Sequence, residues 1–531
     1  MTRLSRLAAG AAVLACVPLA FTAPAVSDDL PTPTPSVSAA VDDNDSTATD
    51  VAVEDMEHCP AGELPTDRVY RGPQVWADID GGTPTTPSAM GAWSNLSDMR
   101  DRGYWDPRGT EPWDFAKGFA RLICGAAPNS EIKIGMYFVR ALVIVEGAEE
   151  HDADAIWDAL EWVKVHRNVK ASMILEGQNS CVVAADGQSC SSPMSGGRKE
   201  GLDDVRARVY DRWKDIGDVI YCINGCMNTK RFGTYFYGIE HEKFVTISDT
   251  IWPNSQPGTG PDPDQHPLVI STSGNFARSQ IRSYVQDAMF IYDDYKLWQQ
   301  FDQRFDAMKS CALTKCDVMK QQSTYQALHL SLEGSRGIWA SNIVRRATDA
   351  GKGTEVIFSP QRSTDANAYI SQLDRIDCKV DKYIRIAMFN MTDGLAQQMA
   401  NRLRDLDKAG CEIELLLSLP GGGRSLSDGV IKTLNSRGID YKCTARSMHT
   451  KLILIGPRDS GAGSILEGTQ NMSVSGQLYS DEHILSIKAH NVSKPGYKDD
   501  VAEVYGQYLG IFNDLKDLKG DDNRGASKAR C

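Results

Sequence analysis

The sequence predicts an α/β fold of two related lobes, each a mixed, mainly parallel sheet flanked by helices, with one shared active-site cleft. Three observations predict it. A strand–helix–strand pattern occurs twice. A Gly-Gly-Arg followed by a helical segment recurs after each copy. Each copy then reaches a His-x-Lys on an apolar strand and, further on, a small-residue turn ending in asparagine.

The first copy runs EIKIGMYFVRAL from Glu131, then an amphipathic segment from Asp152 to His166, then VKASMILEG from Val169. The second runs DKYIRIAMFNMTDG from Asp381, then LAQQMANRLRDLDKAG, then CEIELLLSLPGGG from Cys411. In both, β-branched and aromatic residues give way to helical periodicity and then to a buried-strand pattern. Strand–helix–strand implies a parallel pair joined by a crossover. A further helical pattern precedes each copy, Phe115 to Cys124 and Tyr369 to Cys378. Gly196-Gly197-Arg198 leads into Gly201 to Lys214, and Gly422-Gly423-Arg424 into Ser425 to Ser436. A lone Gly-Gly-Arg is only a flexible turn, and its recurrence is what informs. The first half is longer before its histidine, which implies inserted loops carrying local cysteine pairs.

Ahead of the lobes, a basic start (Arg3, Arg6), an apolar run from Leu7 to Phe21 and the small-x-small end Ala23-Pro24-Ala25 read as a secretory signal cleaved after Ala25. Lipoprotein anchoring through Cys16 is the lesser reading, because leucine stands two before that cysteine. Residues 26–58 are rich in Pro, Ser, Thr and acid, and read as a disordered linker. The expected organisation is therefore 1–25 signal, 26–58 linker, 59–320 first lobe and 321–531 second lobe. Of the 70 acids nine lie in the linker, and of the 57 basic residues two lie in the signal. The body is thus net -6, not the -13 of the whole chain, and a dedicated nucleic-acid coat protein is disfavoured.

Twelve cysteines follow the signal, an even number in an exported chain, so disulfides are expected. Cys181/Cys190, Cys222/Cys226 and Cys311/Cys316 are close enough for local staples. Zinc is disfavoured because no pair has C-x2-C spacing and no histidine cluster accompanies them. Trp76, Trp93, Trp105 and Trp113 cluster ahead of the first repeat; packing is their commoner use, membrane contact the rarer.

The chemistry lies in two constellations. One is His241-x-Lys243, then Ser273-Gly274-Asn275, then Asp287 opening an apolar strand. The other is His449-x-Lys451, then Thr469-Gln470-Asn471, then Glu482 opening another. Strand alternation puts the histidine and lysine of each pair on one face. A single His-x-Lys means little. Nine histidines here give only two such pairs, at matching places in a repeat, against less than about one chance in ten for coincidence.

These residues resemble the phospholipase D superfamily, whose signature is H-x-K-x4-D followed by G-[GS]-x-N once per half. The layout is similar to the secreted phospholipases D of actinomycetes. The likeness covers most of residues 110–490. It departs at the motif aspartates, which are Ser248 (with Asp249 next) and Gly456 (with Asp459 the next acid), and at the first turn glycine, which is Thr272.

The resemblance implies that a nucleophilic histidine attacks phosphorus to form a phosphohistidine, while the other protonates the departing alcohol and then activates water or an alcohol. By resemblance His241 is the nucleophile and His449 the acid/base; the residues themselves do not order them. Lys243, Lys451, Asn275 and Asn471 would bind the phosphoryl oxygens, with Ser273 and Thr469 as further donors. Asp287 and Glu482 are candidates for fixing the histidine tautomers, each serving the histidine of a different half, with strand-end solvation the rival reading. His483 reads as a satisfied core histidine.

No metal or cofactor is required, since the lysines supply positive charge. The expected partners are a phospholipid at a membrane or micelle surface and water or an alcohol as acceptor, with the enzyme a monomer. The expected reaction is hydrolysis of the distal phosphodiester of glycerophospholipids, with transphosphatidylation as a variant. The alternative is a secreted metal-independent nuclease or other phosphodiesterase. A non-catalytic binding protein is disfavoured by two complete His-Lys-Asn sets.

Overall fold

The computed structural model describes residues 59, 90–96, 114–137, 139, 144–145, 148–149, 154–176, 181–183, 190–193, 216–222, 225–227, 231–232, 235–236, 239–251, 258, 260–314, 345–347, 353–360, 368–419, 428–457, 463–489, 497–520 and 524–531. The signal, the linker, Cys16, both Gly-Gly-Arg turns, the helix expected at Gly201 to Lys214, Cys316, Asp459 and Trp76, Trp105 and Trp113 lie outside the described residues.

The first sheet has seven strands: β1 (Met90–Ser94), β2 (Glu131–Met136), β3 (Lys170–Glu176), β4 (Gly217–Cys222), β5 (Lys243–Ile247), β6 (Leu268–Thr272) and β7 (Asp287–Tyr292). Their order is β1-β7-β6-β5-β2-β3-β4. The second sheet has eight: β8 (Arg345–Ala347), β9 (Thr354–Ser359), β10 (Tyr383–Met388), β11 (Glu412–Leu417), β12 (Lys442–Cys443), β13 (Lys451–Gly456), β14 (Ser464–Gly468) and β15 (Glu482–Ile487), in the order β8-β9-β15-β14-β13-β10-β11-β12. From β5-β2-β3 and β13-β10-β11 outward the two orders correspond, so the repeat read in the sequence is a repeat of architecture.

Helices α1 (Asp114–Cys124) and α2 (Asp154–Arg167) belong to the first half, with α3 (Arg278–Ser283) following its asparagine and α4 (Tyr295–Thr314) its last strand. In the second half come α5 (Ala368–Leu373), α6 (Asp393–Lys408), α7 (Asp428–Arg437), α8 (Val474–Leu478) and α9 (Tyr497–Asp517). Helices α2 and α6 are the expected crossovers, and β2 with β3 and β10 with β11 are parallel. The sheets are mixed, but the expectation of mainly parallel pairing is corrected. In each, only the two ladders at one edge, β2–β3–β4 and β10–β11–β12, are parallel, and all the others are antiparallel. Strands β5, β6 and β7, like β13, β14 and β15, follow one another in the chain and pair with their chain neighbours, whereas β2 with β3 and β10 with β11 are joined by the crossovers α2 and α6.

Apolar faces account for the layers. In the first lobe Phe119, Ile134, Val245, Ile270 and Phe301 are fully buried between sheet and helices; in the second, Leu403, Ile386 and Ile453 play that part. Inserted ribbons interrupt the first lobe where extra length was expected, among them Cys181–Val183 with Cys190–Pro193. Cys222–Cys226 is a local staple as its spacing suggested. Other bridges are long-range: Cys59–Cys124, Cys378–Cys411, which closes the loop containing crossover α6, and Cys443–Cys531, which ties the last residue to β12. Trp93 is a core residue, edge-on to Phe119 at 5.0 Å.

Candidate active site

Backbone contacts between the lobes place the two motifs face to face. Glu240 pairs with Asp481 and Met448 with Val285 as isolated parallel bridges. The His241 N–H donates to the Asp481 carbonyl (2.9 Å) and the His449 N–H to the Val285 carbonyl (2.8 Å). Each histidine therefore stands one residue past a lobe–lobe bridge. Their ring centroids are 6.0 Å apart at 68°, with only 6% and 7% of each residue exposed.

The lysines stand two residues on, fully buried. Lys243 Nζ donates to the His241 carbonyl (2.8 Å) and Lys451 Nζ to the His449 carbonyl (2.5 Å). Burial pushes the Lys243 ammonium down to about 8; burial and the Lys243 charge hold Lys451 well below the usual lysine range. Burial, then the two lysines, keep both histidines well below the usual imidazole value. The site is thus short of negative charge, and an entering anion relieves it.

The two histidines are held differently. His241 Nδ1 meets Glu482 Oε2 at 2.8 Å, a carboxylate from the opposite half. Burial raises the Glu482 carboxyl, against the pull of Lys243 and Lys451. His449 Nδ1 meets the Ser273 carbonyl oxygen at 2.7 Å, with Lys451 Nζ 3.0 Å away. A carbonyl only accepts, so the 2.7 Å contact calls for a proton on His449 Nδ1, which leaves Nε2 as the ring nitrogen with the lone pair.

The expectation that Asp287 fixes a histidine tautomer is corrected. The partners Thr272↔Ala288 and Gly468↔Ile484 put Asp287 in register with His483, and make Gln286 the counterpart of Glu482. The same follows from counting, since both stand eleven residues after the motif asparagine. A one-residue offset sends a side chain to the other face of a sheet. Asp287 Oδ1 accepts from Ser273 Oγ (2.7 Å), so it braces the residue whose carbonyl holds His449.

Ser273 and Thr469 were expected to donate to substrate. Both are fully buried, and the Ser273 hydroxyl is given to Asp287, while Thr469 Oγ1 accepts the His483 N–H at 3.0 Å. They frame the site instead. Asn275 is buried at the turn after β6. Asn471, half-buried at the matching turn, has no partner for Oδ1 among the described residues.

Three aromatic rings that the sequence reading passed over flank the histidines. Tyr137 lies 5.1 Å from His241 and under Lys243 Nζ (5.5 Å); Phe389 lies 4.5 Å from His449 and under Lys451 Nζ (5.2 Å). Both directly follow the first strand of their repeat, a signal visible in Gly135-Met136-Tyr137 and Ala387-Met388-Phe389. Tyr284, 6.0 Å from His449, has the small Ser480 at the matching position.

The absent motif aspartates are also explained. Ser248 and Gly456 lie five residues beyond the lysines along extended strands, roughly 16 Å away. Ser248 Oγ accepts the Glu131 N–H (2.8 Å). Gly456 has φ +152°, and a Cβ there would stand 2.8 Å from the Gly463 Cα. An aspartate at 456 would be strained, and neither position touches the histidine pair.

Residues 373–499, spanning the second motif, match the family described as cardiolipin synthase, PLD-like domain. Over those residues the chain is similar to a phospholipase D-like domain. Similar solved structures include phosphatidylserine synthase from Haemophilus influenzae Rd KW20 (10% identity, TM-score 0.46, 84% of this chain and 91% of that one). Another is Nuc, a phospholipase D family member from Salmonella typhimurium (16%, 0.24, 30% and 92%). Polyphosphate kinase from Porphyromonas gingivalis is a third (13%, 0.41, 84% of this chain), of whose length the chain spans 56%. No curated protein matches the chain. The matched residues include His449, Lys451, Asn471 and Glu482, and the first half carries the corresponding His241, Lys243 and Asn275, with Gln286 at the place of Glu482.

Proposed function

We propose that the protein is a phosphodiesterase of phospholipase D type, acting on the distal phosphodiester of a glycerophospholipid through a phosphohistidine. The observation that carries this reading is the pair of rings 6.0 Å apart with two buried lysines beside them. That is room for one tetrahedral phosphoryl group between two nitrogens.

In the first step the His241 Nε2 lone pair forms a bond to phosphorus and the bond to the leaving alcohol breaks. The alcohol oxygen takes the proton of His449 Nε2–H, which His449 acquires as the anionic diester offsets the lysine charges. The phosphorylated His241 ring is cationic, and Glu482 at its Nδ1 balances that charge. In the second step water, or an alcohol, gives its proton to His449 and attacks phosphorus, and His241 leaves. Lys243 and Lys451 stabilise the charge on the non-bridging oxygens in both steps, with Asn275 and Asn471 as neutral donors. With water as acceptor the outcome is hydrolysis; with an alcohol it is transfer.

Lipid is favoured over nucleic acid by the name of the matching family and by the net acidic body. The signal-like start and the disulfides fit an exported enzyme, working as a monomer at a lipid surface. The test is incubation with phosphatidylcholine vesicles, single-stranded DNA and bis-p-nitrophenyl phosphate in the presence of chelator. Head-group release that is lost in His241→Ala supports the reading. DNA cleavage without head-group release replaces it with the nuclease alternative.

A further inference from the structure

The middle residue of each His-x-Lys is gripped by the opposite lobe. In the first motif it is Glu242, fully buried. Its Oε2 lies 2.5 Å from His483 Nδ1, and its Oε1 accepts from Arg304 Nε at 3.0 Å. His483 Nε2 meets Ser271 Oγ at 2.7 Å. In the second motif the middle residue is Thr450, also fully buried, and its hydroxyl donates to the Val285 carbonyl of the first lobe (3.5 Å). The grip is thus part of the repeat, and it is ionic in the first motif alone.

Arg304, on α4, also donates to the Ser359 carbonyl (2.6 Å) and reaches Asp481 Oδ1 (3.4 Å). Asp481 further accepts the Cys226 N–H (2.5 Å) and the Met227 N–H (3.2 Å). Glu482, which meets His241, therefore sits between two residues whose side chains are both anchored in the first lobe. The Ser271–His483–Glu242 chain has the connectivity of a hydrolytic triad. All three residues have zero exposure, so no substrate reaches them and their use is in holding geometry.

We propose that His483, Glu242 and Arg304 are positioning residues that set strand β15 against motif strand β5, so that the Glu482 carboxylate reaches His241 Nδ1. The 2.8 Å contact has little tolerance, because a shift of about 1 Å takes it out of hydrogen-bond range, and misplacement of that size costs up to about 100-fold in rate. Glu242 is suited to the task. Burial would raise its carboxyl, yet Arg304 and His483 bring it below the usual range, so it stays ionised within the interface. The activity arm of the test rests on the phosphohistidine reading above; the spectroscopic arm does not.

The test uses the full chain with His483→Leu, His483→Gln, Glu242→Gln and Ser271→Ala. Bis-p-nitrophenyl phosphate is the substrate, and ring-labelled histidine NMR, with His241 assigned through His241→Asn, is the second readout. His483→Leu is expected to lower kcat about 10- to 100-fold with KM within about threefold. It also moves the acid limb of the kcat/KM profile to lower pH, as His241 loses its carboxylate. The His241 Nδ1 resonance shifts in parallel. His483→Gln, which keeps a donor and an acceptor, recovers most of the loss. If His483→Leu does not fold, Glu242→Gln and Ser271→Ala are read the same way. A folded variant with kcat, acid limb and His241 resonance all as in wild type overturns the proposal. If wild type does not turn over the diester, the phosphohistidine reading fails, while an unmoved or moved His241 resonance still decides the positioning role.

Discussion

Glu482→Gln isolates the charge that makes the two histidines unequal. Burial raises the Glu482 carboxyl and Lys243 and Lys451 pull it back, so its charge is completed by the cationic ring formed on phosphorylation; the substitution keeps the size of the side chain and an acceptor for His241 Nδ1 and removes that charge. The carboxylate oxygen is 2.8 Å from Nδ1, which puts its charge about 4 Å from the centre of the ring that becomes cationic on phosphorylation. At that separation the attraction is about 4 kcal/mol for an effective dielectric of 20 and about 1 kcal/mol in water. Glu482 is only 1% exposed, so the larger figure applies. Converted at 1.36 kcal/mol per tenfold, the expected fall in kcat is about 10³-fold. The assay is a single-turnover burst of p-nitrophenolate from bis-p-nitrophenyl phosphate, which reads formation of the covalent intermediate alone, beside steady-state lipid hydrolysis. A folded Glu482→Gln enzyme with a burst rate within about threefold of wild type would refute the reasoning, since the carboxylate would then do nothing for the ring.

Three further outcomes are expected. His449→Ala should slow release of an alkyl alcohol at least about 100-fold, yet slow the first burst of p-nitrophenolate far less, because that leaving group needs no proton; equal losses for both would remove His449 as the acid. As pH rises through about 8 the Lys243 ammonium is lost, so kcat/KM should fall there, and Lys243→Arg, if folded, should abolish that limb while lowering the plateau; a limb unchanged in Lys243→Arg would assign it elsewhere. Burial raises the Asp481 carboxyl to about 7, so the fold favours its protonated form. The stability it contributes is complete below the ordinary aspartate value of 3.8 and is lost as pH rises through about 7. The melting temperature of Asp481→Asn should therefore gain on wild type between pH 4 and pH 8, and parallel curves would contradict this.

How far the sequence could be read depended on where each signal was carried. The histidines, lysines and asparagines were legible because a strand shows its pattern in two-residue alternation and the repeat shows each pattern twice. Glu482 was legible for the same reason. Asp287 was misread because an acid opening an apolar strand looked like its counterpart, although counting from Asn275 leads to Gln286. The partner that does hold His449 is a backbone carbonyl, which no side-chain pattern reveals. His483 read as a satisfied core histidine. It is buried and satisfied, but by Glu242 and Ser271, whose approach depends on the docking of two sheets more than 200 residues apart in the chain. The sheets were expected mainly parallel because the crossovers α2 and α6 dominate the pattern, whereas most ladders involve the motif strands, which pair antiparallel with their neighbours in the chain.

The central claim is that one phosphorus is transferred through one nitrogen. It is tested most directly by locating the covalent intermediate. His449→Asn enzyme, mixed with bis-p-nitrophenyl phosphate, quenched under denaturing alkaline conditions and digested, should carry one phosphoryl adduct on the peptide containing His241, at that histidine. An adduct on His449-region or other residues, or none at all while p-nitrophenolate is released, would contradict it.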